Sequence, residues 1–457
     1  SAPAYRAAVI VMDRAKLANL RRREDSTFSA NTARSAQLHA RAGRHMPGGV
    51  PMAWMKGLYR TPPIFVSHGE GATFFDVDGN GYLDFNVCDL SMTMGYGHPA
   101  IEEAVCSQIH RGAHFLLPGE DAIVVSELLA ERTGIPCWQF TLSASGANTE
   151  VLRIARFLTG RDKVVVFGGH YHGHIDETLV DRKDDGVKQA LLGLPRDAAL
   201  DTRIVPFNSL ESLEAALVNQ DVALVLTEPA LSNCNIVLPE PGFLAGVREL
   251  TQRYGSLLCL DEAHTFQFAD GGLGRHWRLG CDFLVLGKGL GSGVSFGLYG
   301  MTDDIAHVVA RHIDIDTGPA GLATGGTLYA SALAMAAARA ALEQVLTPAA
   351  FERVTRLGAR LADGLDGLFE SKNLPWKAFR LGPRSGYCLA SELPKNFNEA
   401  EVSLDYEFID SRRVFMANRG IWDAVASAGP QVSFAHTASD VDRYLATAGL
   451  FLDELLV

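Results

Sequence analysis

The sequence predicts an α/β fold with a parallel sheet, together with a smaller α+β part. Short apolar runs alternate with amphipathic stretches through the central third of the chain. Strands that are apolar throughout and alternate with helices are typical of a parallel sheet covered on both faces. From about residue 330 onward the pattern becomes mainly helical. The predicted strands are 164–167, 203–205, 222–226, 257–260 and 283–286.

The regions around this central part have their own patterns. Residues 1–45 are polar and rich in arginine with helical spacing, which indicates an N-terminal helical arm. Residues 74–85 predict two short strands around a glycine-rich turn. The remaining predicted elements are helices over 241–254, 330–346 and 349–369, strand-like pieces near Tyr387 and Val432, and a terminal helix.

Composition excludes several classes of protein. The 457 residues include 41 lysines and arginines against 53 aspartates and glutamates, so the net charge is −12. The lack of a basic excess argues against binding to a nucleic-acid backbone as the main activity. The seven cysteines form no CxxC pair, which favours reduced thiols. Because the chain has no secretory pattern at its beginning and no membrane-span candidate, we expect a cytoplasmic protein without a nucleic-acid or membrane partner.

A histidine cluster suggests one alternative activity. His170, His172 and His174 follow a predicted strand, and a His-x-His pair at a strand end can bind zinc. His264 or Asp261 could supply further ligands. This alternative predicts a metal-dependent hydrolase, whereas the rest of the chain predicts no metal site.

Small residues precede a helical run after residue 141. Ser143, Ala144, Ser145 and Gly146 occupy this turn. Small residues at a helix N-terminus let a phosphate group approach the backbone N–H groups, and serine hydroxyls add donors. An ordinary serine-capped helix is the alternative interpretation of this turn.

Three further residues lie where predicted strands end, which is where open α/β sheets bind ligands. Tyr171 could stack on a flat ring, and Asp261 could keep a ring nitrogen protonated. Lys288 lies between glycines after an apolar strand, which favours a nucleophilic amine at a cleft. Core packing or helix capping is the alternative for Tyr171 and Asp261. Together with the phosphate-binding turn, these residues predict a site for pyridoxal 5'-phosphate.

These residues belong to a longer series of motifs. The chain resembles the class III aminotransferases of the fold-type I pyridoxal-phosphate superfamily, nearest to the branch of glutamate-1-semialdehyde aminomutases and β-amino-acid aminotransferases. The resemblance implies a mixed, mostly parallel seven-stranded sheet between helices. The motifs, in chain order, are Pro47-Gly-Gly-Val50, Asp76-Val-Asp-Gly-Asn80, Gly95-Tyr-Gly-His-Pro99, Tyr171-His-Gly-His174, Glu228-Pro229, Asp261-Glu262, Leu286-Gly-Lys288 and Gly326-Thr327.

The resemblance also implies a domain organisation. Residues 1–95 would form the helical arm and part of the small domain, and residues 96–330 the large cofactor-binding domain. Residues 331–457 would complete the small domain, which is therefore built from both ends of the chain.

The resemblance gives the site residues their roles. Lys288 would form the Schiff base with pyridoxal phosphate and carry the substrate proton. Asp261 would hold the ring nitrogen protonated, and Tyr171 would stack on the ring. Thr327 of the partner subunit would bind the phosphate, so the enzyme is expected to be a homodimer. The other cofactor-binding residues are Ser143, Ala144, Ser145, Gly146, His172, Glu228, Ala263 and His264.

Three cofactor-site positions depart from the family pattern, one of them Ala263, where the family carries valine. The phosphate motif has Gly146 where relatives carry glutamate, although Ser145 keeps the hydroxyl. His264 stands where many relatives carry glutamine near the phenolic oxygen of the cofactor. His264 could bond that oxygen, reach the substrate or be a spectator.

The substrate end departs further. No arginine stands where the nearest branch binds the substrate carboxylate, and Trp54, Met55 and Lys56 occupy this stretch. Lys56 or Arg60 could substitute for it. The C-terminal glutamate of aminomutases aligns with Ala428. Both differences argue against glutamate-1-semialdehyde as the substrate.

The expected activity is therefore an aminotransferase that moves an amino group from an amine or amino acid to an oxo acid. A lyase, a racemase or an aminomutase on the same scaffold is the alternative. The sequence predicts neither the substrate nor its chirality.

Overall fold

The computed structural model describes residues 13–57, 61–183, 186–195, 197–313, 321–425 and 429–456. They divide into two compact units. Unit 1 lies within 1–98, 352–394 and 398–457, and unit 2 lies within 99–351 and 395–397. The domain boundaries expected from the sequence, after residues 95 and 330, stay predictions.

The secondary structure alternates between strands and helices. The strands are β1 (Val66–Glu70), β2 (Thr73–Asp76), β3 (Gly81–Asp84), β4 (Cys137–Thr141), β5 (Lys163–Phe167), β6 (Val180–Lys183), β7 (Gly186–Gln189), β8 (Thr202–Val205), β9 (Val222–Thr227), β10 (Leu257–Asp261), β11 (Phe283–Leu286), β12 (Gly297–Met301), β13 (Lys377–Leu381), β14 (Arg384–Cys388) and β15 (Ile421–Trp422). The helices are α1 (Arg14–Asn31), α2 (Ala33–Ala42), α3 (Trp54–Gly57), α4 (Pro99–Arg111), α5 (Glu120–Thr133), α6 (Ala144–Thr159), α7 (Leu210–Leu217), α8 (Phe243–Tyr254), α9 (Gly272–His276), α10 (Asp303–Ala310), α11 (Ala332–Ala340), α12 (Pro348–Ser371), α13 (Phe397–Val402), α14 (Tyr406–Ala417) and α15 (Ala438–Leu456).

A seven-stranded sheet forms the centre of unit 2, in the order β4-β12-β11-β10-β9-β5-β8. The strands from β8 to β11 pair in parallel, whereas β12 is antiparallel to both of its neighbours. All residues of β9, β11 and β12 are buried. The fold class predicted from the sequence is therefore confirmed, and all five predicted strands are present.

The direction of these strands places the functional residues. Because β5, β9, β10 and β11 are parallel, and β4 runs in the same direction, their carboxyl ends lie at one edge of the sheet. The segments that leave this edge contain His172, Glu228, Asp261 and Lys288, together with the beginning of α6. Residues far apart in sequence are thus brought to one site.

Unit 1 contains a four-stranded sheet in the order β1-β2-β3-β15. The strands β2 and β3 form the antiparallel pair predicted around the glycine-rich turn. The arm folds as α1 and α2, and Phe28 of α1 packs in a cluster with Phe74, Tyr82 and Val414. Val432 is outside any strand, because pairing there is limited to a bridge between Gln431 and Arg384.

Two further predictions can be compared with the fold. Among the described residues, no helix has both the length and the apolar character needed to cross a membrane. All seven cysteines are free thiols, in agreement with the prediction from their spacing.

Candidate active site

Asp261 is the last residue of β10 and is buried. Its Oδ2 accepts a hydrogen bond from Asn148 Nδ2 at 2.8 Å and lies 2.9 Å from His172 Nδ1. The other oxygen, Oδ1, accepts from the backbone N–H of Ala263 at 3.0 Å. Three segments of the chain, α6 and the segments after β5 and β10, therefore fix this carboxylate.

These neighbours decide the charge of Asp261. Burial by itself raises the pKa of a carboxyl group. Hydrogen bonds from His172, Ala263 and Asn148 outweigh this effect, so the pKa of Asp261 is below its ordinary value of 3.8. A carboxylate that stays ionised away from water can pair with a cation such as a protonated ring nitrogen.

Two polar atoms beside Asp261 are buried without a hydrogen-bond partner in the part of the chain that the structure describes. They are His172 Nε2 and Asn148 Oδ1. Buried polar atoms are rarely left unpaired, because each one costs about 1–3 kcal/mol. Their presence is consistent with a polar ligand at this point.

The turn between β4 and α6 is a serine-capped helix N-terminus, and phosphate binding there stays a prediction. Ser143 caps α6 from an extended conformation, and its Oγ accepts from Gly146 N at 3.3 Å. The Oγ of Ser145 accepts from His174 N at 3.1 Å. A Cβ atom at Gly173 would lie 2.1 Å from that Oγ, so only glycine allows this approach. The first turn of α6 thus lies against the loop that carries Tyr171.

Lys288 directly follows the buried strand β11 and Gly287. A Cβ atom at Gly287 would lie 3.2 Å from the amide nitrogen of Ala144, so the lysine begins beside the first residue of α6. Lys288 is half-buried and has a φ of 45°. This left-handed conformation costs a residue with a side chain about 1 kcal/mol or more, and such strain is common at functional sites.

Glu228 and His264 meet through a residue that the sequence did not point to. Ser232 donates its hydroxyl to Glu228 Oε2, and its Oγ lies 2.6 Å from His264 Nδ1. All three side chains are buried. Burial raises the pKa of Glu228 to about 7, with the charge of Asp261 acting in the same direction. Glu228 is therefore a carboxyl group that can hold a proton near neutral pH.

The other predicted cofactor residues also lie in unit 2. Tyr171 is half-buried in the loop after β5. Thr327 is exposed in a turn that follows Gly325, whose N–H donates to Glu150 Oε1 at 2.6 Å. Stacking by Tyr171 and phosphate binding by Thr327 stay predictions.

The predicted substrate residues lie in unit 1. Trp54, Met55 and Lys56 form the short helix α3 and are exposed. Their contact with a substrate stays a prediction. Arg60 and Ala428 lie outside the described residues.

The histidine cluster has another arrangement than a metal site requires. Both ring nitrogens of His170 lie 2.8 Å from backbone carbonyl oxygens, those of Phe167 and Thr178. His172 is bonded to Asp261, and His174 is exposed. In the described residues, no group of three or more His, Cys, Asp or Glu side chains could hold a metal ion. The arrangement does not support the metal-dependent hydrolase.

The sequence did not reveal that Asn148, two residues after Gly146, donates a hydrogen bond to Asp261. Its position on α6, one turn after Ala144, directs it toward the Asp261 edge of the sheet. A helical wheel of 144–159 could have shown a buried polar residue on an apolar face. Ser232 gave no signal in the sequence.

The residues present suit pyridoxal phosphate. Asp261 can pair with the ring nitrogen, the amine of Lys288 can bond the aldehyde, and the start of α6 can bind the phosphate. The unpaired atoms of His172 and Asn148 are consistent with a polar ligand at this edge.

Comparison with known proteins gives the same family. Residues 55–420 match the model of the class III aminotransferases. A glutamate-1-semialdehyde 2,1-aminomutase of Chloroflexus aggregans is 36% identical over 430 residues, which cover 90% of this chain and 96% of that protein.

Solved structures extend this likeness to the fold. The glutamate-1-semialdehyde aminomutase of Pseudomonas aeruginosa PAO1 has a TM-score of 0.93 at 36% identity, over 97% of this chain and 100% of the other. A variant of that enzyme is known in complex with PMP. A β-phenylalanine aminotransferase of Variovorax paradoxus has a TM-score of 0.83 at 27% identity, over 96% and 97% of the two chains. The protein therefore belongs to the class III aminotransferase family and is a pyridoxal-phosphate-dependent enzyme.

Proposed function

We propose that the enzyme is an aminomutase, which exchanges an amino group and an oxo group between two neighbouring carbon atoms of one small substrate. The observation that carries this proposal is the likeness, over almost the whole chain, to proteins named as aminomutases. The sequence alone favoured transfer between two molecules and kept the aminomutase as an alternative. The relatives support that alternative better.

The residues of the site would divide the work among them. When bound, pyridoxal phosphate withdraws electrons from the substrate carbon that carries the amino group. Asp261 would keep the ring nitrogen protonated, and the start of α6 would bind the phosphate dianion. The Lys288 amine would carry a proton between a substrate carbon and the C4′ atom of the cofactor. Glu228 would hold a proton beside the ring.

The substrate is proposed to differ from glutamate-1-semialdehyde. The stretch at which the nearest branch binds a carboxylate carries Trp54 and Met55 here. These side chains favour an apolar group over an anionic one at that end of the substrate. A small amino aldehyde or amino ketone with an apolar end is the substrate class proposed for the aminomutase.

The apolar side chains of Trp54 and Met55 also support a second candidate. It is an aminotransferase that acts on an apolar amine or β-amino acid and an oxo acid. The structural likeness to a β-phenylalanine aminotransferase is in agreement with it. Both candidates use the same site, and they differ in whether a second substrate is required.

One experiment separates the two candidates. The holoenzyme, loaded with pyridoxal phosphate or pyridoxamine phosphate, is incubated with single compounds from an ¹⁵N-labelled panel and without an oxo acid. An aminomutase continues to form an isomer that retains the ¹⁵N label. An aminotransferase stops after one equivalent, when its cofactor has changed form. Turnover only after an oxo acid is added would contradict the aminomutase.

We also propose a homodimer in which Thr327 of the partner subunit completes the phosphate site. The exposure of Thr327 is consistent with a contact to another chain. Light scattering combined with cofactor titration tests this proposal, because a monomeric holoenzyme with full activity would contradict it.

A further inference from the structure

The loop at 323–329 lies along one side of α6, the helix whose beginning forms the phosphate-binding turn. Glu150 lies on α6 and is 4% exposed. Its Oε1 accepts a hydrogen bond from Gly325 N at 2.6 Å. One turn further, Arg153 Nη1 donates to the carbonyl oxygen of Ala323 at 2.8 Å. Two side chains of the helix therefore bind the backbone of this loop.

The same side of α6 also lies against the loop in the first turn of the helix. A Cβ atom at Gly146 would lie 3.3 Å from the hydroxyl oxygen of Tyr329. Residues 146, 150 and 153 follow one another at helical spacing on a single face. The helix thus keeps a carboxylate on this face, one turn after the position at which the family motif carries its glutamate.

The carboxyl group of Glu150 is buried, which disfavours its ionised form. Burial raises its pKa, and the N–H of Gly325 acts in the opposite direction. The buried hydroxyl of Tyr299 in β12 lies beside it, and burial together with the Glu150 carboxylate raises the pKa of that tyrosine. Because burial outweighs the hydrogen bond in setting this pKa, keeping the acid buried costs free energy, which is consistent with a positioning role.

We propose that Glu150, supported by Arg153, is a positioning residue that holds the 323–329 loop so that Thr327 reaches the cofactor phosphate of the partner subunit. The inference rests on the proposed homodimer. It couples two phosphate-binding elements, because α6 serves the site of its own subunit while the loop that it holds serves the other site.

The test compares two near-isosteric variants. Glu150→Met removes the acceptor for Gly325 N–H, whereas Glu150→Gln keeps one. We expect the Met variant to bind pyridoxal phosphate about tenfold more weakly, while its affinity for pyridoxal, which has no phosphate, is unchanged. The Gln variant should stay close to the wild type. Affinities come from fluorescence titration of the apoenzyme.

Two further variants make the result specific. Glu177→Gln is the matched control, because Glu177 also interacts with an arginine of α6, Arg156, at 2.8 Å. Arg153→Met removes the second tie from an exposed position and should weaken pyridoxal-phosphate binding in the same selective way. It tests the proposal even if the Met variant at position 150 does not fold.

Mixed dimers show which site each residue serves. In a dimer of Glu150→Met with Lys288→Ala, one site combines an intact lysine with an intact loop from the other subunit. Mixing the two variants should therefore restore turnover at limiting cofactor. Equal loss of pyridoxal and pyridoxal-phosphate affinity, or mixtures no more active than their parents, would overturn the inference. A wild-type enzyme that does not bind pyridoxal phosphate would instead overturn the proposed function.

Discussion

Asp261 is a buried carboxylate whose charge depends on the groups around it. Its hydrogen bonds from His172 and Asn148 offset the burial that would otherwise favour the neutral acid. The cofactor would meet a carboxylate that is already ionised and oriented, so no reorganisation is needed when the ring nitrogen arrives.

The contact between His172 and Asp261 leads to a testable pH dependence. Replacing the imidazole by an apolar side chain (His172→Leu) removes a donor, so the pKa of Asp261 rises. The carboxylate is then lost at a higher pH, and the acid side of the activity profile should move upward by about one pH unit. His172→Asn can still donate and should move it less. An unchanged acid limb in the Leu variant would contradict this assignment.

The sequence could predict Asp261 and Lys288 because each directly follows an apolar strand, and strand direction then brings them to one edge. It could not predict the hydrogen bonds that Asn148, Glu150 and Ser232 form. Their roles depend on contacts with residues 113, 175 and 32 positions away in the chain, respectively. Such contacts exist only after the sheet has formed.

Among the elements, β4 and β12 show where sequence patterns fail. β12 contains Gly297 and Gly300, and glycine is depleted in strands. Both glycines are needed, since a Cβ at Gly297 would lie 2.1 Å from the carbonyl carbon of Ser143, and one at Gly300 would lie 2.7 Å from Ile135. The close approach of the Ser143 backbone and of the Ile135 side chain explains why glycine stands at these two positions.

A buried ion pair joins elements of unit 1. The Nε of Arg412 in α14 lies 2.6 Å from Oδ2 of Asp423, which follows β15. Tyr444 of α15 donates to Oδ1 of the same carboxylate at 2.9 Å. Arg412 and Asp423 are both buried, so removing one partner leaves an uncompensated charge.

We therefore expect Asp423→Ala to lower the free energy of unfolding by about 3–5 kcal/mol. The exposed pair of Arg360 and Asp442 is the control, and Asp442→Ala should cost less than about 1 kcal/mol. Urea unfolding of both variants at one protein concentration measures the difference. Equal effects of the two substitutions would show that burial does not decide the strength of these pairs.

For the molecule as a whole, buried titratable groups make stability depend on pH in opposing ways. Burial raises the pKa of Glu262 to about 7, above its ordinary 4.5. Between these values the folded state binds the extra proton, so its stability falls as pH rises. Burial lowers the pKa of His170 and His436 to about 4, so their contribution to stability rises with pH up to about 6.5.

Glu262→Gln isolates one of these contributions in the apoenzyme. The carboxylate accepts from the N–H groups of Leu273 and Gly274, each at 2.7 Å, and any loss of those bonds is independent of pH. The unfolding free energy of the wild type, relative to the variant, should fall by about 2–3 kcal/mol from pH 5 to pH 8. A difference that is constant with pH would mean that Glu262 stays ionised throughout.

The net charge of −12 is a property of the whole molecule that bears on which ligands it can bind. An acidic protein can bind a phosphate dianion without a basic surface, because backbone N–H groups and serine hydroxyls such as those predicted for the start of α6 can supply the donors. An acidic net charge is therefore compatible with a phosphorylated cofactor.

Lys288 is the residue proposed to bind the cofactor covalently, and the proposed function depends on this bond. The holoenzyme is reduced with borohydride and digested, and the peptides are analysed by mass spectrometry. We expect the cofactor mass on the peptide that contains Lys288 and on no other lysine, with loss of the visible absorbance. A colourless protein that contains zinc, or a cofactor adduct at another lysine, would contradict the central claim.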